Sequence, residues 1–125
     1  MGCDFMEKII KPVFTLAHVG INTENEEKAK EVAALLCSIF DFDNKETEIS
    51  VFAGTGVEVM KYKGFGTYGH IGFGTENMEE AVKYLEGKGI KFNYDSAKYD
   101  EDKRLKLVYL EKEIGGFAIH IVRKE

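Results

Sequence analysis

The chain has 125 residues, 44% of them hydrophobic, and a single proline, Pro12. That suits one compact domain burying roughly two-thirds of its unfolded surface, and it excludes collagen-like and disordered chains. Seventeen Lys and Arg against 22 Asp and Glu leave a formal charge of −5, with the basic residues scattered rather than gathered in a stripe, which argues against a nucleic-acid groove. No apolar run approaches the roughly 20 residues of a membrane-spanning helix, and the N-terminus lacks the charged-then-apolar order of a signal peptide. Cys3 and Cys37 are too few for a zinc cage or a disulfide scaffold. The chain reads as cytoplasmic, with both cysteines as thiols.

Residues 1–12 form a leader whose apolar set, Phe5, Met6, Ile9 and Ile10, suits a short helix stopped by Pro12. A strand is expected over 13–21. It is followed by a helix start at Thr23-Glu24-Asn25-Glu26, which has the order of a capping box, and by Ala29, Val32, Leu36, Ile39 and Phe40 near a 3.6 period. Three strands are expected next, over about 43–48, 49–54 and 56–62. The same order then returns: a strand over 68–75, a helix over 78–88 capped by Asn77 and ended by Gly89, and strands over 90–97, 105–111 and 116–123.

The return is also visible in the letters. Residues 18–25 read His-Val-Gly-Ile-Asn-Thr-Glu-Asn; residues 70–77, 52 positions later (70 − 18), read His-Ile-Gly-Phe-Gly-Thr-Glu-Asn. Val57-Glu58-Val59-Met60-Lys61 recurs in pattern as Ile119-His120-Ile121-Val122-Arg123, at an offset of 62 (120 − 58). The fold class is therefore α+β, with two tandem βαβββ modules at about 13–62 and 68–123. Each is too small to bury one face of its own sheet, and together they can close a shared cleft.

The repeat pairs His18 with His70 and Glu58 with His120, each in the middle of an apolar strand. Alternation sends their flanking residues, such as Val57 and Val59 or Ile119 and Ile121, to one face and the four polar groups to the other. A buried polar group without a partner costs about 1–3 kcal/mol, so four of them need water or one common partner. A divalent cation satisfies all four. Three imidazoles and a carboxylate suit Zn, Ni, Co or Fe better than the oxygen-seeking Mg or Ca.

The paired βαβββ units, the strands His18-Val19-Gly20-Ile21 and Tyr68-Gly69-His70-Ile71-Gly72-Phe73, and the polar residue within Gly56-Val57-Glu58-Val59 and Ala118-Ile119-His120-Ile121 resemble the vicinal oxygen chelate superfamily. That group includes glyoxalase I, methylmalonyl-CoA epimerase, fosfomycin-resistance proteins and extradiol dioxygenases. The resemblance covers nearly the whole chain from Val13 and implies a glyoxalase-like open β-barrel or cleft. Its metal ligands transfer to His18, Glu58, His70 and His120. The last is usually glutamate in the family, so the histidine here removes the carboxylate base of a glyoxalase mechanism. A narrower likeness, through Leu16-Ala17-His18-Val19-Gly20-Ile21-Asn22, the stretch 52–61, the loop around Tyr99 and the double glycine Gly115-Gly116, is to a C-terminal domain fused to some bacterial 2-keto-4-hydroxyglutarate and 2-keto-3-deoxy-6-phosphogluconate aldolases. The family builds its clefts from both halves of one chain or across a dimer. The resemblance thus implies a homodimer, and an aldolase as a further partner.

Four protein ligands on a six-coordinate metal leave two positions for neighbouring oxygens of one substrate, and the formal charge of +1 (+2 − 1) favours an anion. The expected function is an isomerase or lyase of a small anionic 2-oxo or 2-hydroxy acid, working through bidentate chelation and enediolate stabilisation. The alternative is a non-catalytic, metabolite-binding companion of a keto-acid aldolase. Glu58, the only carboxylate of the set, is either a ligand alone or a ligand that also accepts a proton. Phe52, Tyr68 and Tyr109 are expected to line the cleft and contact substrate, with filling the ends of the sheet as the alternative for Phe52 and Tyr109. Gly20 and Gly72 mark a close approach of a ligand or of the other half of the fold. Lys98, Tyr99 and Arg104 lie on a polar stretch that is either a lid with anion contacts or a solvated loop.

Overall fold

A computed structural model describes residues 11–124. The elements run β1 (Thr15–Ile21), α1 (Glu26–Phe40), β2 (Asn44–Glu46), β3 (Ser50–Ala53), β4 (Val57–Met60), β5 (Gly69–Thr75), α2 (Met78–Gly87), β6 (Phe92–Tyr99), β7 (Leu105–Leu110) and β8 (Phe117–Arg123). The leader helix expected over residues 1–11 lies, except for Lys11, outside the described residues. No helix among them is long and apolar enough to cross a membrane.

All eight strands join one curved, open sheet in the order β2-β3-β4-β1-β5-β8-β7-β6. Among the described residues the strand pairing between its two halves is the antiparallel pair β1 and β5, where Val19 lies opposite Ile71, Gly20 opposite His70 and Gly72 opposite His18. Outside that pair β4 runs parallel to β1 and β8 parallel to β5. An extra residue in β1 between Leu16 and His18 shifts the register, a bulge beside the row of polar residues.

Alternation assigns the two faces as the sequence requires. Val51 and Val59 turn to the helix side, where they pack with Ala29 and Ala33 of α1. Val108, Ile121 and Phe92 do the same in the second half, packing with Met78 and Ala81 of α2. Each half thus has its own core, and each fully buried valine or methionine contributes about 1.5–3 kcal/mol. The polar residues one position away point to the concave side.

Two expectations at the helices need correction. The N-cap of α1 is Asn25, whose side chain accepts from the Lys28 backbone N–H at 2.8 Å, not Thr23. The Thr23 hydroxyl instead donates across to the Met60 carbonyl at 2.5 Å. The end of α1 is also not part of the core: Ile39 and Phe40 are each 58% exposed. Fifteen residues of helix span about 22 Å, whereas the four-residue strands β3 and β4 beneath span about 13 Å, so the last turn overhangs the sheet. In α2 the expected cap holds, with Asn77 accepting from the Glu80 N–H at 3.0 Å, and Gly89 takes the left-handed φ of 89° just beyond the end.

Candidate metal centre

Cross-strand neighbours share a face, so the register lays out the site. One row runs Phe52, Glu58, Gly20, His70 across β3, β4, β1 and β5. The next runs His18, Gly72, His120, Tyr109 across β1, β5, β8 and β7. Each row places one glycine between two polar side chains. The repeated His-x-Gly motif has a steric purpose: a Cβ on Gly20 would lie 2.0 Å from His70 Cε1, and one on Gly72 would lie 2.5 Å from His120 Cε1 and 2.9 Å from His18 Cε1. The close approach anticipated at these glycines is by the imidazoles of the cluster itself.

The four side chains meet within one chain. His70 Nε2 is 3.1 Å from Glu58 Oε1, His18 Nε2 is 3.6 Å from the same oxygen, and His120 Nε2 is 3.3 Å from His18 Nε2. The ligand atoms of the three histidines all lie within 4.8 Å of one another and could hold a metal ion. His70 and His120 are buried and His18 is half-buried. Burial lowers the pKa of His18; Glu58 partly offsets this, and the His70 ring adds to it. His120 is lowered to about 3, by burial first and then by its two histidine neighbours. Both are neutral at pH 7 and present nitrogen lone pairs. Burial pushes the Glu58 carboxyl up, but the hydrogen bonds from His70 and Ser50, with the nearby imidazoles, outweigh it and hold the group below its ordinary value.

This donor set fits a divalent first-row metal. The polar atoms largely pair with one another: the Nε2 atoms of His18 and His120 share a hydrogen bond at 3.3 Å, Glu58 is bonded to Ser50 and His70, and His120 Nδ1 is the one buried polar side-chain atom without a partner among the described residues. The fit to a cation rests on the donors themselves, imidazole nitrogens turned toward one another beside a carboxylate oxygen.

Ser50 was not visible as a site residue. It is fully buried, and its hydroxyl donates to Glu58 Oε2 at 2.8 Å, while Thr47 Oγ1 accepts from the Ser50 N–H at 2.9 Å. Its signal is a polar residue inside Ile49-Ser50-Val51-Phe52, two positions from Phe52 and therefore on the same face. The cluster opens into a cavity of about 620 Å³ whose walls include Phe52 and Tyr109. Tyr68 is not among its lining residues. That ring is 63% exposed and lies over Gly116, where a Cβ would meet it at 2.5 Å. Gly69 is the first residue of β5 and has a φ of +153°, so Tyr68 lies outside the strand whose alternation was counted back from His70. The polar stretch 98–104 spans the end of β6 and the turn into β7. Lys98 and Tyr99 belong to β6, and Arg104 is tied to Asp100 at 3.0 Å.

No protein-family model matches the sequence, and no curated protein does. Solved structures do match. The Streptomyces coelicolor methylmalonyl-CoA epimerase in complex with 2-nitronate-propionyl-CoA superposes with a TM-score of 0.64 at 15% identity, over 90% of this chain and 99% of that one. The fold is glyoxalase-like. A methylmalonyl-CoA epimerase solved with methylmalonyl-CoA and ammonium gives 0.65 at 14%, over 90% and 95% of the two chains. A hypothetical protein from Bacillus halodurans gives 0.64 at 14% over the same shares. At 14–15% identity these matches are likenesses of fold, and the glyoxalase-like architecture expected from the sequence is the one they share.

Proposed function

We propose that the chain is a divalent-metal-binding protein that acts as an isomerase or lyase on a small anionic 2-oxo or 2-hydroxy acid, with His18, Glu58, His70 and His120 as the metal ligands. The observation that carries this reading is the meeting of these four groups, two from each module, at the base of a cavity. Held by these residues, a Zn, Ni, Co or Fe ion would supply Lewis-acid stabilisation of the negative charge that develops when a proton leaves a carbon next to a carbonyl.

The chain's own residues set the rest. Ser50 and His70 fix both oxygens of Glu58, and Phe52 and Tyr109 wall the cluster on either side. Among the described residues Glu58 is the only carboxylate lining the cavity, and it is the one placed to accept a carbon-bound proton released inside. The same bonds that orient Glu58 lower its basicity. The fold neighbours are named as epimerases of methylmalonyl-CoA, and epimerisation of an acid next to a carbonyl is proton removal of this kind.

The test is elemental analysis of protein purified without an affinity tag. About one metal per chain is expected, lost in the His18→Ala/His70→Ala double variant; less than about 0.1 per chain, with no uptake of added Zn²⁺, Ni²⁺ or Co²⁺, would sink the reading. Turnover is then followed as deuterium entry next to the carbonyl of 2-oxo acids, abolished in Glu58→Gln. The likeness of four segments to the aldolase-fused domain supports a second reading, a companion of a keto-acid aldolase. Its signature is metal uptake without deuterium exchange, together with co-purification of the aldolase. Neither reading needs a second copy of the chain to complete the cluster.

A further inference from the structure

We propose that the cavity selects substrates with two anionic ends, the second of which, a carboxylate or a phosphate, is received by Lys63 and Lys98; this rests on the chelating role proposed for the cluster. Among the lining residues the only acid is Glu58, already engaged at the base, and the only lysines are Lys63 and Lys98. A chain with a net charge of −5 thus opens its cavity with cations. Among the described residues neither lysine forms an ion pair or a side-chain hydrogen bond, and neither therefore has a carboxylate to give up before meeting a ligand. Lys61, two positions before Lys63, is committed to Glu46 at 2.7 Å. Ammonium groups free of carboxylates at the wall of a cavity are available to an anionic ligand.

Both lysines stand on fixed backbone. Lys98 lies on β6 opposite Leu107. Leu107 shares its face with Tyr109, which in turn lies opposite His120. Lys98 therefore continues the same concave surface outward from the cluster. Lys63 is on the connector between the modules, which Asn22 pins from across the seam: its Oδ1 accepts from the Gly64 N–H at 3.1 Å, and its Nδ2 donates to the Gly66 carbonyl at 3.0 Å. Phe65 of that connector packs against Tyr109 with ring centroids 4.4 Å apart. The wall between the cluster and the lysines is apolar, from Phe65, Tyr109, Leu107 and Met60.

A charged base, an apolar middle and a cationic rim suit a short carbon chain carrying an anion at each end. The volume agrees: about 620 Å³ equals the share of about 20 liquid waters, more than a three-carbon acid fills. The class is a dicarboxylic or phosphorylated 2-oxo or 2-hydroxy acid.

The experiment is calorimetric titration of pyruvate, 2-oxoglutarate and 3-phosphoglycerate into Ni²⁺-loaded and chelator-stripped protein, for the wild type and the Lys63→Met/Lys98→Met double variant. At least one dianionic probe is expected to bind about tenfold or more tightly than pyruvate in the loaded wild type. That advantage disappears in the double variant, while metal uptake and pyruvate affinity stay as they were. Which of the two dianions gains more distinguishes a carboxylate from a phosphate at the rim. Equal affinities for all three probes, an advantage that survives in the double variant, or no binding of any probe overturns the proposal. A lysine-dependent advantage that is the same with and without metal supports the lysine pair and removes the chelating role of the cluster, so the two failures read differently.

Discussion

Replacing Gly20 with alanine tests the geometry of the cluster without touching a polar group. The new Cβ would lie 2.0 Å from Cε1 and 2.3 Å from Nδ1 of His70, against an ordinary contact of at least 3.4 Å, so the ring must retreat by about 1.5 Å. His70 is held by strand pairing directly opposite Gly20, and the ring can leave only by rotating about its own side-chain bonds. That carries Nε2 away from Glu58, now 3.1 Å distant. Overpacking costs about 1–3 kcal/mol and loss of a hydrogen bond to a charged group about 1.5–3 kcal/mol. The two share one displacement and are not summed, which leaves about 1.5–3 kcal/mol. At about 2.1 cal/mol/K of unfolding entropy per residue, a chain of this size loses roughly 4 °C per kcal/mol, so Tm should fall by about 10 °C. Thermal and urea denaturation measure this, with metal uptake measured beside them. Gly87→Ala is the control: nothing lies within 4 Å of its Cβ and it ends α2, so it should be neutral or stabilising by up to about 1 kcal/mol. If Gly20→Ala proves as stable as the wild type and takes up metal undiminished, glycine is not the seat of the imidazole and the account of the repeated motif is wrong.

Ser50→Ala should raise the Glu58 pKa, weaken metal uptake about 10–100-fold and cost about 1–3 kcal/mol; unchanged uptake in a competition titration would show that the serine does not orient the carboxylate. For chelator-stripped protein, the folded pKa of about 3 at His120 lies below its unfolded value of about 6.5. The unfolded chain therefore binds the extra proton: stability is full above about pH 6.5 and is lost as pH falls toward 3, by about 2 kcal/mol at pH 5. Urea midpoints of the wild type should fall more steeply between about pH 6.5 and 5 than those of His120→Gln, in which His18, also lowered by burial, retains a slope of the same sign; parallel profiles would contradict the burial assigned to the His120 ring. Val59→Ala, at a fully buried site beneath α1, should cost about 1–3 kcal/mol with metal stoichiometry retained, since each half has its own core. Asn77→Ala should cost about 1 kcal/mol through the lost cap of α2, read as an equal shift in urea stability with and without metal.

The cluster was legible because two periodicities agreed at His18, Glu58, His70 and His120. The repeat placed them in equivalent strands, and alternation placed them on one face. Neither rule needs a partner residue to be known. What escaped lies where both rules lapse. Ser50 has no polar counterpart in the second module, where Leu107 stands in the matching strand, so the repeat was silent about it. Lys63 and Phe65 sit on the glycine-rich connector, which has no period to read. Tyr68 was placed by counting back from His70 past the first residue of β5, a glycine of positive φ, to a position the strand does not include. In α1 a helical period correctly found Ala29 but could not report where the sheet beneath it stops, so Ile39 and Phe40 were expected in the core.

One consequence follows from the single seam at β1 and β5. Among the described residues strand pairing joins the two halves only there, and the four polar groups are divided evenly across it, His18 and Glu58 on one bank and His70 and His120 on the other. Any ion gripped by all four acts as a rivet through the joint. Its affinity and the cohesion of the halves then become one linked equilibrium, so a chain cut within the connector at residues 61–68 would reassemble from its two pieces in proportion to the free ion concentration.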